Sequence, residues 1–271
     1  MTLIAVHGHR GCRGLLPENT IEAFEKAIKL GVHAIEMDLA ISKDHKVVVS
    51  HEPFMSRRIC LDQNGHVIPK KDDMYYNLYA MNYDEIKLFD CGLKAHPDYP
   101  DQKNIKAYKP LLDEVIFKAI DLNPNIRFNL EIKAKSKYDG IYTPNPETFV
   151  RLVIDVIESC NVSNQTNLQS FDLRILKQIK KQAPNMQIAL LVDRDQKVYH
   201  KLNKIEFKPE IISPYFKLIS KDLVKDLQSK AFRVIPWTVN DISDLNKMLA
   251  FQVDGIITDY PNRLIDILNK N

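Results

Sequence analysis

Apolar residues follow two spacings along this chain. Short runs rich in β-branched residues alternate with segments whose apolar positions fall three and four apart. The first spacing reads as strands of a buried sheet, the second as amphipathic helices packed on it. Leu3 to Val6 reads as the first strand. A helix then opens at Pro17-Glu18-Asn19-Thr20, with Ile21, Phe24, Ala27 and Ile28 as its apolar stripe. Asn19 or Thr20 is its expected cap and Gly31 its stop. A second strand starts at Ala34. From Pro110 onward the order is helix 111–122, strand 126–132, helix 146–159, strand 166–169, helix 173–182 and strand 187–192. Strand 210–212, helix 221–230, strand 233–238, helix 242–249, strand 254–258 and a helix from Pro261 complete it. Eight parallel-type strands remain when 47–50 is left out, and nine when it is included. That order predicts the α/β class and a (β/α)8 TIM barrel, and leaves open which strand lies outside it.

One stretch breaks the rhythm. Residues 52–109 carry Pro53, Asn64-Gly65, Pro69, Pro97 and Pro100, and are too long for a bare connection. They are expected to form a small inserted subdomain near the C-terminal mouth, within a single domain spanning 1–271. Basic and acidic residues balance there, nine against nine, which gives no charged docking surface.

The whole chain has 271 residues and a formal charge of +3, too slight to argue for nucleic acid. Cys12, Cys60, Cys91 and Cys160 show no Cys-x-x-Cys spacing, so neither a zinc site nor a disulfide framework is indicated. Cys60 and Cys91 share one segment and are the one pairing considered. No run approaches the roughly 18 apolar residues of a membrane span, so no stable membrane insertion is expected. The N-terminus enters a strand with no secretory signal, which reads as cytoplasmic. A chain trimmed of a leader would read the same, leaving periplasmic or secreted placement open. The sequence does not indicate the oligomeric state.

Candidate chemistry centres on Glu36-Met37-Asp38. Alternation sends both carboxylates to one face of a buried strand, where a hard cation is the usual compensation. The connection to 47–50 is too short for a parallel crossover, so a hairpin turning at Asp44-His45 is expected, with His51 directly across from Asp38. Barrel sites sit at the C-terminal ends of strands. That rule gathers His9 and Arg10, Glu36 and Asp38, Glu131 and Lys133, Ser170, Trp237 and Asp259 at one rim. Carboxylates without cysteine favour one divalent metal ion, Mg²⁺ or Ca²⁺, with Mn²⁺ as a further candidate. Arg10 and Lys133 suit an anionic group such as phosphate. Two histidines suit a general acid and base. His7, two residues before His9, is expected to face the opposite way.

His9-Arg10-Gly11, Pro17-Glu18-Asn19-Thr20, Glu36-x-Asp38, Ser42-Lys43-Asp44, His51, Glu131-Ile132-Lys133, Ser170-Phe171, Trp237-Thr238-Val239-Asn240 and Thr258-Asp259-Tyr260-Pro261 resemble the glycerophosphodiester phosphodiesterase family, in order and along the whole chain. The resemblance implies a TIM barrel with a small insertion at 52–109. It implies hydrolysis of glycerophosphodiesters to glycerol 3-phosphate and an alcohol. In it, His9 and His51 are the acid–base pair, and Glu36, Asp38 and Glu131 hold the metal. Arg10, Lys133 and Trp237 meet the substrate and its phosphate. A glycerol hydroxyl would attack phosphorus and give a cyclic phosphate that water opens. The departure lies after His51, where Glu52 stands for the usual Asp and Ser56-Arg57-Arg58 for an Arg-Thr-Thr run, which leaves the alcohol undefined. Two alternatives compete. One is a lysophospholipid- or sphingomyelin-type lipid phosphodiesterase on the same barrel, and the other is a catalytically silent barrel that binds phosphodiesters.

Overall fold

The computed structural model describes residues 4–270. Strands β1 (Ala5–Gly8), β2 (Ala34–Ile41), β4 (Arg127–Ile132), β5 (Thr166–Ser170), β6 (Gln187–Val192), β7 (Ile211–Pro214), β8 (Arg233–Val234) and β9 (Gly255–Thr258) run parallel in the order β8-β7-β6-β5-β4-β2-β1-β9. Between the two ends, Asp254 N donates to Val234 O at 2.9 Å and Ile257 N to Pro236 O at 3.0 Å, which nearly closes the barrel. The first strand begins two residues later than the pattern suggests, and Leu3 lies outside the described residues.

The hairpin strand β3 (Val47–Val49) pairs antiparallel with β2 and is the one outside the barrel. His45 takes φ 61° at its turn, and Ser42 N donates to Lys46 O at 3.0 Å. Six helices carry the connections between β1 and β7: α1 (Ile21–Leu30), the short α2 (Tyr83–Ile86), α3 (Leu112–Leu122), α4 (Pro146–Ser159), α5 (Leu173–Gln182) and α6 (Val198–Leu202). Three more, α7 (Lys221–Ser229), α8 (Ile242–Phe251) and α9 (Pro261–Leu268), follow the later strands. Thr20 caps α1 by accepting from Ala23 N, and Gly31 ends it at φ 94°, a left-handed position that glycine adopts without a Cβ clash.

The outer core lies between strands and helices, with Phe24, Met37, Phe128 and Phe149 fully or nearly fully buried. Inside the barrel the face is divided. His7, Glu36, Asn129, Asn167 and Gln169 occupy one side, while Ala189, Ile211, Ile235 and Ile257 cluster on the other beneath Trp237. Segment 52–109 builds a second apolar cluster around Met55, Leu78, Ile86 and Phe89, against Ala40 and Val48. A disulfide links Cys60 to Cys91 within it, contrary to the sequence reading of no disulfide framework. The pairing needs the two cysteines to meet across a fold with little regular structure, and spacing alone does not reveal that. Among the described residues no helix is long and apolar enough to cross a membrane.

Candidate active site

Parallel register builds the acidic centre. Glu131 on β4 stands opposite Asp38 on β2, and Glu36 lies one inward position below Asp38. Oxygens of the three buried carboxylates lie within 4.8 Å of one another. Gln169 Nε2 donates to Glu36 Oε1 at 3.1 Å, and Asn19 Nδ2 to Asp38 Oδ2 at 3.0 Å. Arg10 bends the chain through φ 50°, and its backbone N donates to Glu36 Oε2 at 3.0 Å. Burial pushes Glu36 well above the carboxylate range, and repulsion from Asp38 and Glu131 adds to it. Burial also raises Glu131, to about 6. Asp38 goes the other way. Burial opposes its charge, but Arg10 and Lys133 hold it well below the usual range. Even with Arg10 and Lys133 beside the group, Glu36 and Glu131 stay raised, so the buried trio would be eased by further positive charge. Asp38 Oδ1 accepts no hydrogen bond, although Lys133 Nζ stands 3.3 Å away. An open buried oxygen in an all-oxygen donor set fits a hard divalent ion.

Two imidazoles flank this centre. His9 continues β1 by donating its N to Thr258 O, and its Nδ1 lies 2.6 Å from Asp259 Oδ1. Its Nε2 stands 3.9 Å from Glu36 Oε2, so that edge of the ring faces the acidic centre. Burial lowers His9 to about 4 against the opposing pull of Asp259. His51 has Nδ1 2.7 Å from Glu52 Oε1, and burial with Arg10 and Lys133 lowers it too. With Nδ1 engaged by a carboxylate, each ring keeps Nε2 for other work.

Register corrects one expectation. Leu39 pairs with Val49, so Ser50 stands across from Asp38 and donates its N to Asp38 O at 2.8 Å. The strand ends there, and Ser50 Oγ bonds Glu52 O in a bend that re-aims His51 into the cavity. The expectation for His7 also fails, because residues two apart on a strand share a face. His7 lies deeper inside the barrel, with Nδ1 3.5 Å from Asn129 Nδ2.

The remaining candidates line one cavity of 1110 Å³. Arg10 donates from Nη1 to Glu18 Oε1 at 2.7 Å, while its Nε lies 3.0 Å from Asp38 Oδ2. Lys133 Nζ sits 2.8 Å from Glu131 Oε1. Trp237 donates Nε1 to Ser213 O at 2.9 Å, so it offers an aromatic surface and not a free N–H. Its ring meets Phe171 edge-on at 5.4 Å and Tyr215 at 5.7 Å. Glu52, Pro53, Phe54 and Tyr99 from the 52–109 segment join the rim. Asp259 collects bonds from Arg13, Tyr99 and Asn240 as well as His9, which keeps it ionised despite its burial. Sequence reasoning placed Asp259 at the rim without a task, and overlooked Gln169. Gln169 was recoverable, since it pairs with Glu131 on the inward face. Tyr99 was not, because it reaches Asp259 from 160 residues away.

The profile of the Glycerophosphoryl diester phosphodiesterase family matches residues 9–263. The chain belongs to this family. Its members include a glycerophosphodiester phosphodiesterase of Caldanaerobacter subterraneus, 29% identical over 98% of both chains. A solved structure from Silicibacter pomeroyi, assigned as a glycerophosphoryl diester phosphodiesterase, superposes with a TM-score of 0.90 at 27% identity, covering 99% of this chain and 94% of that one. A phosphodiesterase of Oleispira antarctica, solved with its product sn-glycerol-3-phosphate, shares the fold with a TM-score of 0.79 at 20% identity, covering 98% and 97%. The chain thus shares its barrel with relatives that align along almost its entire length.

Proposed function

We propose that this chain cleaves glycerophosphodiesters with water, releasing glycerol 3-phosphate and an alcohol, and that His9 and His51 move the protons. The observation that carries the reading is the pair of imidazoles. Each is fixed through Nδ1 by a carboxylate, and both border a cavity lined by Glu36 and Glu131, with the fully buried Asp38 grouped beside them. Those three carboxylates would hold a divalent ion, which when bound supplies Lewis-acid charge to a phosphate oxygen. Arg10 and Lys133 add positive charge on the same side and orient the anionic group. One histidine accepts the proton of the attacking hydroxyl while the other donates to the departing oxygen. Asp259 and Glu52 set the tautomers, so that Nε2 is the working nitrogen on both rings. Met55 is fully buried and packs the 52–109 segment. Domain organisation follows the same reading, with 52–109 as an insertion that helps wall the site of a single unit.

The test is release of glycerol 3-phosphate by protein stripped with chelator and then repleted with Mg²⁺ or Ca²⁺. Activity should return with the ion. His9→Ala and His51→Ala should each lower kcat by about 10²- to 10⁴-fold. The double variant should lose far less than the product of the two, because they act as one unit. Full activity in His51→Ala, or in Glu131→Gln under mild repletion, contradicts the assignment.

A further inference from the structure

A second cavity, of 590 Å³, opens beside the first and shares Phe171 and Asp195 with it. It lies between the loop after β6 and the short helix α6. Lys197, His200, Lys201 and Lys204 line it, against the single carboxylate of Asp195. Lys197, His200 and Lys204 are exposed, but Lys201 is only 6% exposed. Its Nζ donates to the neutral amide oxygen of Gln196 at 2.8 Å. Among the described residues no carboxylate comes within ion-pair distance of it, while Asp193, Asp195 and Asp172 favour its charge from farther away. Burial pulls the ammonium below its ordinary pKa.

A buried cation without an anionic partner is costly unless something supplies the charge. The Lys201 ammonium stands 5.3 Å from the centre of the Phe171 ring, and that of Lys133 stands 5.7 Å from the same centre. The cation beside the acidic centre and the cation of the second cavity thus pack on the same ring. The reaction proposed above needs a single phosphate, which Arg10 and Lys133 serve in that reading. The two cavities meet at Phe171 and Asp195, so the second cation set is next to the site that would hold the first phosphate.

From this arrangement we infer that the Lys201 cleft is a subsite for a second phosphate, one carried by the alcohol that leaves. The inference rests on the glycerophosphodiesterase reading and names its substrate class: glycerophosphodiesters whose alcohol portion itself bears phosphate. In the reaction the phosphorus–oxygen bond to that alcohol breaks, and water supplies the hydroxyl to phosphorus and the proton to the departing oxygen. The products are glycerol 3-phosphate and a phosphorylated alcohol. Phe171 packs against both cations and spaces the two phosphates.

The experiment compares kcat/KM for glycerophosphoglycerol with that for the same ester phosphorylated on its terminal glycerol. The metal-loaded enzyme should prefer the phosphorylated ester by about tenfold at low ionic strength, and salt should erode the preference. Lys201→Met and the exposed pair Lys197→Gln/Lys204→Gln should each bring the ratio toward one. The exposed pair guards against a folding defect at Lys201. A wild-type ratio of one or below, with the plain ester still cleaved, overturns the subsite. Turnover of neither ester overturns the activity reading instead. Calorimetry with inorganic phosphate and metal-free protein then decides the subsite alone. Two binding events reduced to one by Lys201→Met support it, and a single event indifferent to that substitution refutes it. Phosphate binding with a substrate ratio of one identifies a free-anion site and also overturns the proposal.

Discussion

At the scale of single residues, His7 shows how burial sets a charge state. It is 5% exposed inside the barrel, and burial with Arg233, His33 and Arg127 lowers it from 6.5 to about 3. Folding therefore favours the neutral ring. The unfolded chain binds more protons between pH 6.5 and 3, so native stability is full above 6.5 and falls as pH drops through that window. The slope from this one group is at most about 1.4 kcal/mol per pH unit. His7→Gln should lose that part of the slope. Urea midpoints at pH 7 and pH 5 check it, and parallel curves for variant and parent would show that His7 does not titrate on unfolding. His9 has a different environment. Its Nδ1 is held by Asp259, so its lowered pKa leaves a neutral ring with a fixed orientation. The difference between His7 and His9 lies in their neighbours, not their strand face, and an expectation built on position alone misjudged the first.

At the scale of elements, α1 holds the loop that carries Asn19 and Arg10 to the acidic centre. Thr20 Oγ1 accepts from Ala23 N at 3.2 Å and donates to Pro17 O at 2.7 Å. Thr20→Ala should cost about 1 kcal/mol. A thermal scan should show a fall of a few degrees, and an unchanged midpoint would mean the cap is replaced by water at no cost. This helix was legible in the sequence because cap, stripe and terminal glycine agree. So were α4, α5 and β6, whose bounds coincide with the pattern. Other elements were less so. Strand β8 shrinks to Arg233–Val234, since neither Pro214 on the β7 side nor Pro236 on the β9 side has an N–H to extend the ladder. The five residues of α6 are too few to show a helical period, so the helix that carries Lys201 went unpredicted. The acidic trio was readable from strand ends alone. The re-aiming of His51 was not, because it depends on a bend after the last paired residue.

At the scale of the whole molecule, the barrel and the 52–109 segment have separate cores joined through Ala40 and Val48. The Cys60–Cys91 bridge closes a loop of sequence separation 31 within the smaller one. Replacing both cysteines by serine should destabilise that segment by about 2–4 kcal/mol through the freedom returned to its unfolded chain. Limited proteolysis should then cut within 61–90 before it touches the barrel strands. Cleavage that begins in the barrel would show that the two cores melt together. The divided barrel interior reaches further. The cavity is lined by charged groups and by the packed rings of Phe171, Tyr215 and Trp237, with Lys133 over Phe171 and Arg194 over Tyr215. Such a space has no mirror plane. The central carbon of a glycerophosphodiester is a stereocentre, and holding its phosphate against the cations leaves its hydroxyl and hydrogen to meet unlike surfaces. In the proposed reading, one enantiomer should place the hydrogen on the aromatic side while its hydroxyl stays within reach of a histidine. Supplied with a racemic substrate, the enzyme should stop near half conversion and leave the unused hand optically pure, whereas smooth consumption of both would mean that the walls do not hold the glycerol closely.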